Sequence, residues 1–349
     1  MAHTSYPVTS VTDIPALVHS FAGELGFSVT LESGVATVRH PSYAGAKTFS
    51  VGTLVDGTGR TVRERVTLEL DVPGVNIATA ESPKMNVDGG STDASIVVYK
   101  PTLLHLFGEL QGGLSDAGGS FIAGVIEYGY NLYRHFYLGY VEKITEFGGG
   151  EVVTGSSQGH SSLGTSSYNW TDLGSGACRL PFSAVNGNTD LNGGMHVDHV
   201  AANQPGYSFN TGVANLGTTF AGSISSANGN SVVLGGYRDS VNSGYLVAAQ
   251  SPYSNAQILV PINLYLGKRL GSQQSVFPIG APAGVRLVSV ENLEPGAEIQ
   301  IGASVWRVFP LFAKDSDPIL HNAFSAGNNY RYATKNTSHF VGQAYRVRE

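Results

Sequence analysis

Residues 120–145 read SFIAGVIEYGYNLYRHFYLGYVEKIT, and the rest of the chain is organised around this stretch. Two runs rich in aromatic and β-branched residues, 121–128 and 133–144, flank a short break at 129–132. This pattern predicts a β-hairpin. Apolar residues fall on both faces of each strand, so both faces of the hairpin must be covered, either by the rest of this chain or by a second copy.

The composition favours strands and turns over charged helices. The 349 residues include 45 glycines, and only 13% are charged, against roughly 25% in an ordinary globular protein. Uncharged turns and β-edges fit this composition, as does a surface that neighbouring subunits bury. The formal net charge of -6 gives no long-range attraction to nucleic acid or acidic membranes, so neither is expected as a partner.

Cysteine usage and the start of the chain are compatible with folding in a reducing cytoplasm. Cys178 is the only cysteine, so an intrachain disulfide or a cysteine-based zinc cluster is impossible. The opening MAHTSYPVTS lacks the basic start and apolar core of a signal peptide, and no run of ~18 apolar residues occurs. We therefore expect a soluble protein that is not secreted by the usual route.

An amphipathic helix is predicted near the start, followed by a β-meander. Its apolar residues recur at helical spacing: Ile14, Leu17, Val18, Phe21 and Leu25. Thr12 or Asp13 is expected to cap the helix, and Gly26 to end it. Strand patterns follow over 27–40, 49–55 and 62–70, with a turn at Asp56-Gly57 and Thr58-Gly59 between the last two.

The remaining pattern is one of short strands. Before the hairpin we expect a surface loop over 73–93, a strand over 95–100 and one helical turn over 102–107. After it come a hinge-like glycine run at 148–150, a strand over 258–266, a three-strand meander over 285–311 and a last strand over 340–348. Pro295-Gly296 fits the centre of a type II turn.

Composition divides the chain into four regions. They are a helix-plus-meander module (1–72), the central hairpin of the core (73–150), an ordered insertion rich in Gly, Ser and Asn (151–255), and a C-terminal meander that completes the core (256–349). The predicted fold class is β-rich α+β, with antiparallel sheets in a β-sandwich-like core, one N-terminal helix and a long loop-rich insertion.

One short segment holds three possible metal ligands. His196, Asp198 and His199 lie within four residues, and in a strand His196 and Asp198 would share a face. Imidazoles with a carboxylate suit zinc or another transition metal. The segment also fits a polar loop after Asn192-Gly193-Gly194, and no further ligand is spaced recognisably nearby. We therefore predict no metal and no cofactor, and keep these three residues as weak candidates.

Catalytic patterns are weaker still. Residues 159–164, GHSSLG, miss the G-x-S-x-G spacing of a nucleophile elbow. Glu127, Glu142 and Glu146 would have to lie roughly 5–9 Å apart to act as a glycosidase pair. Glu142, near Arg134, is more simply explained by a cross-strand ion pair. No phosphate-binding or dinucleotide fingerprint is present, so we predict that the protein is not an enzyme and has no evident small-molecule substrate.

The tyrosines of the hairpin have two interpretations. Stacking on sugars or bases is one. Packing in the core and at subunit interfaces is the other, and it is favoured because these residues alternate with aliphatic ones. The interface candidates are Tyr128, Tyr130, Tyr133 and Tyr137.

Several segments together resemble virion structural proteins of tailed bacteriophages. They are TDIPALVHSFAGELGFSV near the start, YRHFYLGYVEKITEFGGGEVVTG, ILVPINLYLGKR, FPIGAPAGVRLVSVENLEPGAEIQIGASVWRVFPLF, and the close HFVGQAYRVRE. The resemblance covers about two thirds of the chain and is lost in the Gly/Ser/Asn-rich middle. It implies a component of the assembled particle around the tail, neck or baseplate, and no family site residue is carried over.

The function expected from residues and resemblance is structural. The protein would fold in the bacterial host cytoplasm and join the virion, with other copies of itself and other virion proteins as its partners. The alternative is a receptor-binding, glycan-binding or capsid-decorating virion protein. A polysaccharide or cell-wall hydrolase ranks behind both.

Overall fold

The computed structural model describes residues 1–43, 45–58, 61–71, 76–79, 84–86, 96–98, 100–112, 118–128, 132–144, 148–158, 178–179, 194–200, 230–235, 259–270, 273–290, 293–310 and 341–348. For several strands within these ranges only the backbone is described. Within them, no helix is long and apolar enough to cross a membrane.

The described chain is built from antiparallel strands and one α-helix, which confirms the predicted fold class. Helix α1 is Ile14–Leu25. The strands are β1 (Ala2–Pro7), β2 (Ser28–Glu32), β3 (Val35–Arg39), β4 (Phe49–Thr58), β5 (Thr61–Leu70), β6 (Asn76–Thr79), β7 (Lys84–Asn86), β8 (Ile96–Val98), β9 (Pro101–Glu109), β10 (Phe121–Tyr128), β11 (Leu132–Lys143), β12 (Gly148–Gly155), β13 (Ser157–Gln158), β14 (Cys178–Arg179), β15 (Gly194–Val200), β16 (Asn230–Gly235), β17 (Val260–Pro261), β18 (Asn263–Leu270), β19 (Gln273–Pro282), β20 (Val285–Ser289), β21 (Glu298–Ile301), β22 (Ser304–Pro310) and β23 (Val341–Arg348).

The predicted hairpin is confirmed and lies at the centre of the largest sheet. Strands β10 and β11 pair from Phe121↔Gly139 to Tyr128↔Leu132. The sheet runs β1-β9-β10-β11-β19-β18-β16, while β12 pairs with β11 and β15 pairs with β12. Strand β1 comes from the first predicted region, and β18 and β19 come from the last. Sheet pairing therefore crosses the predicted regions, whose boundaries stay a prediction.

The N-terminal helix forms as predicted, with Asp13 in the N-cap position, although the Asp13 side chain does not bond into the helix. A 3-10 turn, Val11–Asp13, precedes α1 and has Ser10 as its N-cap. The Ser10 hydroxyl accepts from the Thr12 backbone N–H at 3.2 Å, and the Asp13 carboxylate accepts from the Ser10 backbone N–H at 3.1 Å. These reciprocal bonds form a capping box. Asp13 thus supports the start of the helix by bonding backwards.

Helix α1 packs between the central sheet and the N-terminal sheet β2-β3-β4-β5-β6. Its buried side chains, including Val18 and Phe21, share one core cluster with Phe49 of β4 and Leu104 of β9. The turn predicted at 56–59 is wrong for residues 56–58, which belong to β4 and pair with β5 as far as Thr58↔Thr61. Gly59 lies outside the described residues.

The C-terminal sheet has a strand order that sequence adjacency does not suggest. Its order is β17-β20-β23-β22-β21, so the last strand lies between β20 and β22 and the predicted three-strand meander is interrupted. The expected core anchors are buried: Trp306, Val308 and Phe309. The predicted turn is confirmed, because Gly296 has a φ of 77° and the Ala297 backbone N–H donates to the Glu294 carbonyl at 3.0 Å.

The chain itself covers both faces of the hairpin. The face that carries Ile122, Phe136 and Leu138 joins the core cluster with α1 and the N-terminal sheet. The opposite face meets the C-terminal sheet, where the ring of Tyr133 lies 6.0 Å from that of Phe309, centroid to centroid, and the Tyr137 hydroxyl donates to the Ala283 carbonyl at 3.2 Å. A second copy is therefore not needed to bury these strands.

Three local predictions are wrong. The loop expected over 73–93 contains β6 and β7, the helical turn expected over 102–107 is part of β9, and the glycine hinge at 148–150 begins β12. Residue 147 and most of the predicted insertion, 151–255, lie outside the described residues. The strands described within the insertion are β13 to β16 and most of β12.

Candidate functional site

The predicted interface tyrosines are placed in the interior where they are described. Tyr128, Tyr133 and Tyr137 are each 3% exposed or less. Burial raises the pKa of the Tyr133 hydroxyl, with the Glu127 and Glu294 carboxylates adding to the effect. Tyr130 lies outside the described residues. The three described rings pack within the chain, and their role in a subunit interface stays a prediction.

The predicted metal candidates lie on one strand. His196, Asp198 and His199 belong to β15, in which His196 pairs with Val153 and His199 with Gly149. Their side chains lie outside the described part of the structure, so the metal prediction is neither supported nor contradicted. Among the side chains that are described, no group of three or more His, Cys, Asp or Glu is placed to hold a metal.

The carboxylates proposed for glycoside hydrolysis do not meet. Glu127 pairs with Tyr133, and Glu142 lies nine residues further along β11, which is about 30 Å at the rise of a strand. The Glu142 carboxylate binds Arg286, with Nη2 and Oε2 3.5 Å apart, rather than Arg134. Glu146 and residues 159–164 lie outside the described residues.

A polar constellation not recognised in the sequence lies at the β1 edge of the central sheet. Ser5 of β1 pairs directly with His105 of β9, and His105 pairs with Val125 of β10. Glu127, two residues beyond Val125, therefore projects from the same face of the sheet. Three adjacent strands thus place a hydroxyl, an imidazole and a carboxylate side by side.

The three groups are joined by hydrogen bonds in sequence. His105 Nδ1 lies 2.8 Å from Ser5 Oγ, and His105 Nε2 lies 3.0 Å from Glu127 Oε1. A carboxylate accepts, so Nε2–H donates to it, and in a neutral ring Nδ1 is then bare and accepts from the hydroxyl. Ser5 is exposed, whereas the His105 side chain is 8% exposed. A neutral imidazole held in this tautomer is a base towards the serine hydroxyl.

His3 and Arg307 adjoin this constellation. His3 Nε2 lies 3.4 Å from Ser5 Oγ, and Arg307 Nη1 lies 3.1 Å from His3 Nδ1 and 3.2 Å from His3 Nε2. Arg307 Nη2 also binds Glu298 Oε1 at 2.6 Å. Burial lowers the pKa of His3 to about 4, with the Arg307 guanidinium adding to the effect. His3 is therefore neutral at neutral pH.

A second histidine is fully enclosed between the central and C-terminal sheets. His135 Nε2 donates to the Pro310 carbonyl at 2.8 Å, and His135 Nδ1 lies 2.6 Å from the Tyr345 hydroxyl. The Tyr345 oxygen is also 2.6 Å from Gln343 Oε1. Burial lowers the pKa of His135 to about 3, outweighing the hydrogen bond to Pro310. This histidine joins the two sheets in its uncharged form.

Part of the N-terminal sheet carries exposed apolar side chains. We name residues 53–58 and 61–65 the β4–β5 arm, because among the described residues these parts of β4 and β5 pair only with each other. Leu54 is 42% exposed and Val55 is 53% exposed. At its base, Lys100 forms an ion pair with the buried Glu64.

No protein-family model matches the chain, and no curated protein matches it.

Proposed function

We propose that the protein is a structural component of a tailed-phage virion, in the tail, neck or baseplate region. It would act through protein–protein interfaces, without turning over a substrate. The observation that carries this proposal is the β4–β5 arm, in which the apolar side chains of Leu54 and Val55 are exposed. Exposed apolar side chains on strands that no further described strand pairs with offer a surface that another protein can bury.

Two further observations support an assembly role. The low charge content, 13% of residues, fits a surface that neighbouring subunits cover. The resemblance to virion proteins includes the hairpin and the C-terminal sheet, which together form the folded frame that carries the arm. Since this frame buries both faces of its own hairpin, we place the interface on the N-terminal sheet instead.

The first experiment asks whether the chain is part of a particle. Phage particles would be purified from a host that carries the gene, and their proteins identified by mass spectrometry. We expect the chain in a fixed number of copies per particle. Particles of normal infectivity that lack the chain would contradict the proposal.

The second experiment tests the arm. The purified chain and the double variant Leu54→Ser/Val55→Ser would be compared by light scattering on a sizing column, alone and with tail-region proteins from the same particle. We expect the wild-type chain to associate and the double variant to lose at least about tenfold in affinity, with an unchanged melting temperature because both side chains are exposed.

Leu31→Ser is the matched control. Leu31 lies in β2 of the same sheet and is 42% exposed, as Leu54 is, but it lies outside the β4–β5 arm. Its replacement should leave association unchanged. A wild-type monomer that binds no particle protein at any concentration, or an equal loss of affinity in the control, would refute the assignment of the arm.

A further inference from the structure

We propose that Ser5 is a covalent modification site, a nucleophilic serine that takes up the acyl group of a small ester with His105 as its base. This reactivity goes beyond the assembly role and does not depend on it. The protein acts here as an acyl acceptor, modified once, and not as a catalyst of turnover.

Ser5 is accessible to solvent and also lies next to a base. The side chain lies on the edge strand β1 and is exposed, so an ester can reach its Oγ from solvent. The base that adjoins it is largely shielded, since the His105 side chain is 8% exposed and its ring lies 4.7 Å from that of Phe309, centroid to centroid. An ordinary surface serine has no such partner, and its hydroxyl is a weak nucleophile.

The direction of proton transfer follows from the hydrogen bonds. Glu127 Oε1 accepts from His105 Nε2–H at 3.0 Å, which leaves Nδ1 free to accept the Ser5 proton across 2.8 Å. The carboxylate also stabilises the imidazolium that forms. The two imidazole nitrogens are used in the opposite order from the familiar serine-hydrolase triad, although either nitrogen can serve as the base.

The acylation step is balanced by these groups alone. Ser5 Oγ forms a bond to the carbonyl carbon of the ester while its proton moves to His105 Nδ1. The bond from that carbon to the alkoxide or phenoxide leaving group then breaks, and His105 returns the proton to the leaving oxygen. The products are an O-acyl serine and the free alcohol or phenol.

The experiment uses the full chain and p-nitrophenyl acetate as the acyl donor. Peptide mapping by mass spectrometry would follow the rate at which each serine is acetylated. We expect Ser5 to react at least about 100-fold faster than Ser28, an exposed serine of β2 that serves as an internal control. His105→Gln should slow Ser5 acetylation by about 100-fold, the typical contribution of a general base.

Glu127→Gln tests the positioning residue. It should slow Ser5 acetylation less than His105→Gln does, and it should change the pH profile of the reaction because the carboxylate no longer stabilises the imidazolium. A fluorophosphonate probe, which phosphonylates activated serines with loss of fluoride, provides a second measurement. Labelling should be lost in Ser5→Ala and in urea.

Two outcomes would overturn the proposal. Equal acetylation rates at Ser5 and Ser28 in the folded wild-type chain would overturn the proposal, whatever the variants do. Unchanged reactivity in a His105→Gln variant that melts as the wild type does would also overturn it. Since Ser5 is exposed, Ser5→Ala is expected to fold, and it keeps the fluorophosphonate measurement decisive if His105→Gln fails to fold.

Discussion

At the scale of single residues, His135 shows how burial determines a protonation state. The imidazole is enclosed between two sheets and donates to the Pro310 carbonyl from Nε2. A neutral ring then has a bare Nδ1, which must accept from the Tyr345 hydroxyl. The Gln343 Nε2 has no partner among the described residues. When the Gln343 amide is turned so that its NH2 group faces the Tyr345 oxygen, the NH2 group donates to that oxygen. The Tyr345 hydroxyl then donates to His135 Nδ1, so each hydrogen bond in the chain has one proton.

This histidine should make stability depend on pH. Its pKa is 6.5 when exposed and about 3 in the folded chain. Above pH 6.5 both states are neutral, and between pH 6.5 and 3 the unfolded state binds a proton that the folded state does not. Acidification therefore lowers the free energy of unfolding by up to about 1.4 kcal/mol per pH unit. Urea denaturation between pH 4 and 8 measures this slope.

The variant His135→Gln separates this contribution from others. It removes the titrating ring and should flatten the dependence on pH below 6.5, at the cost of lower stability at pH 7. The half-buried His3, whose pKa is also lowered, still contributes in the same direction. A wild-type protein whose unfolding free energy is constant from pH 4 to 7 would contradict the buried, neutral assignment.

The constellation of Ser5, His105 and Glu127 could not be predicted from the sequence. Ser5 and His105 are separated by a hundred positions and meet only because β1 pairs with β9 in one register. The apolar pattern indicates that strands exist, but not which distant strands are neighbours. His196 and Asp198 stand out in the sequence because they are close along the chain, whereas Ser5 has no local signal.

At the scale of elements, the sequence correctly predicts those features that depend on residues close together in the chain. The hairpin β10–β11 and the turn at Pro295-Gly296 depend on neighbouring residues and are confirmed. The turn expected at 102–107 is a strand because Leu104 and Leu106 face one layer while His105 and Phe107 face another. A strand buried on both faces loses its alternation, and periodicity then cannot distinguish it from a helix.

Two turn glycines allow a matched prediction. Gly284, between β19 and β20, and Gly302, between β21 and β22, both have a φ of 64°. A Cβ added at Gly302 meets nothing within 4 Å, whereas one at Gly284 overlaps the Phe121 ring. We expect Gly302→Ala to cost about 1 kcal/mol from backbone strain alone. Gly284→Ala should cost a further 1–3 kcal/mol or so from overpacking.

Chemical denaturation of the two variants measures the difference directly. Because the backbone strain is common to both, the extra loss at Gly284 reports the contact between the C-terminal sheet and Phe121 of the hairpin. Equal losses in the two variants would mean that Phe121 does not pack against this turn.

At the scale of the whole molecule, the fold is a three-layer arrangement with the hairpin in the middle. Strands β10 and β11 are buried almost throughout, whereas the side chains of β2 and β21 are mostly exposed. Amide exchange is slowest where opening exposes the most apolar surface. We expect peptides from β10 and β11 to exchange slowest by hydrogen–deuterium exchange and those from β2 and β21 among the fastest of the described strands.

Strand β9 is an internal control for these exchange rates. Strand β9 is as buried as the hairpin along most of its length, so its peptides should share the slow rates. Exchange in β10 that is as fast as in β21 would show that the middle layer is not the stable core.

The position of β23 also determines when the protein can finish folding during synthesis. This strand lies between β20 and β22, so the C-terminal sheet cannot close until Arg348 has left the ribosome. Until then the hairpin face that bears Tyr133, His135 and Tyr137 lacks its cover. The nascent chain therefore exposes an aromatic sheet surface from the completion of β11 until β23 has been synthesised, and the emergence of β23, rather than translation of the hairpin, sets the moment at which that surface is buried.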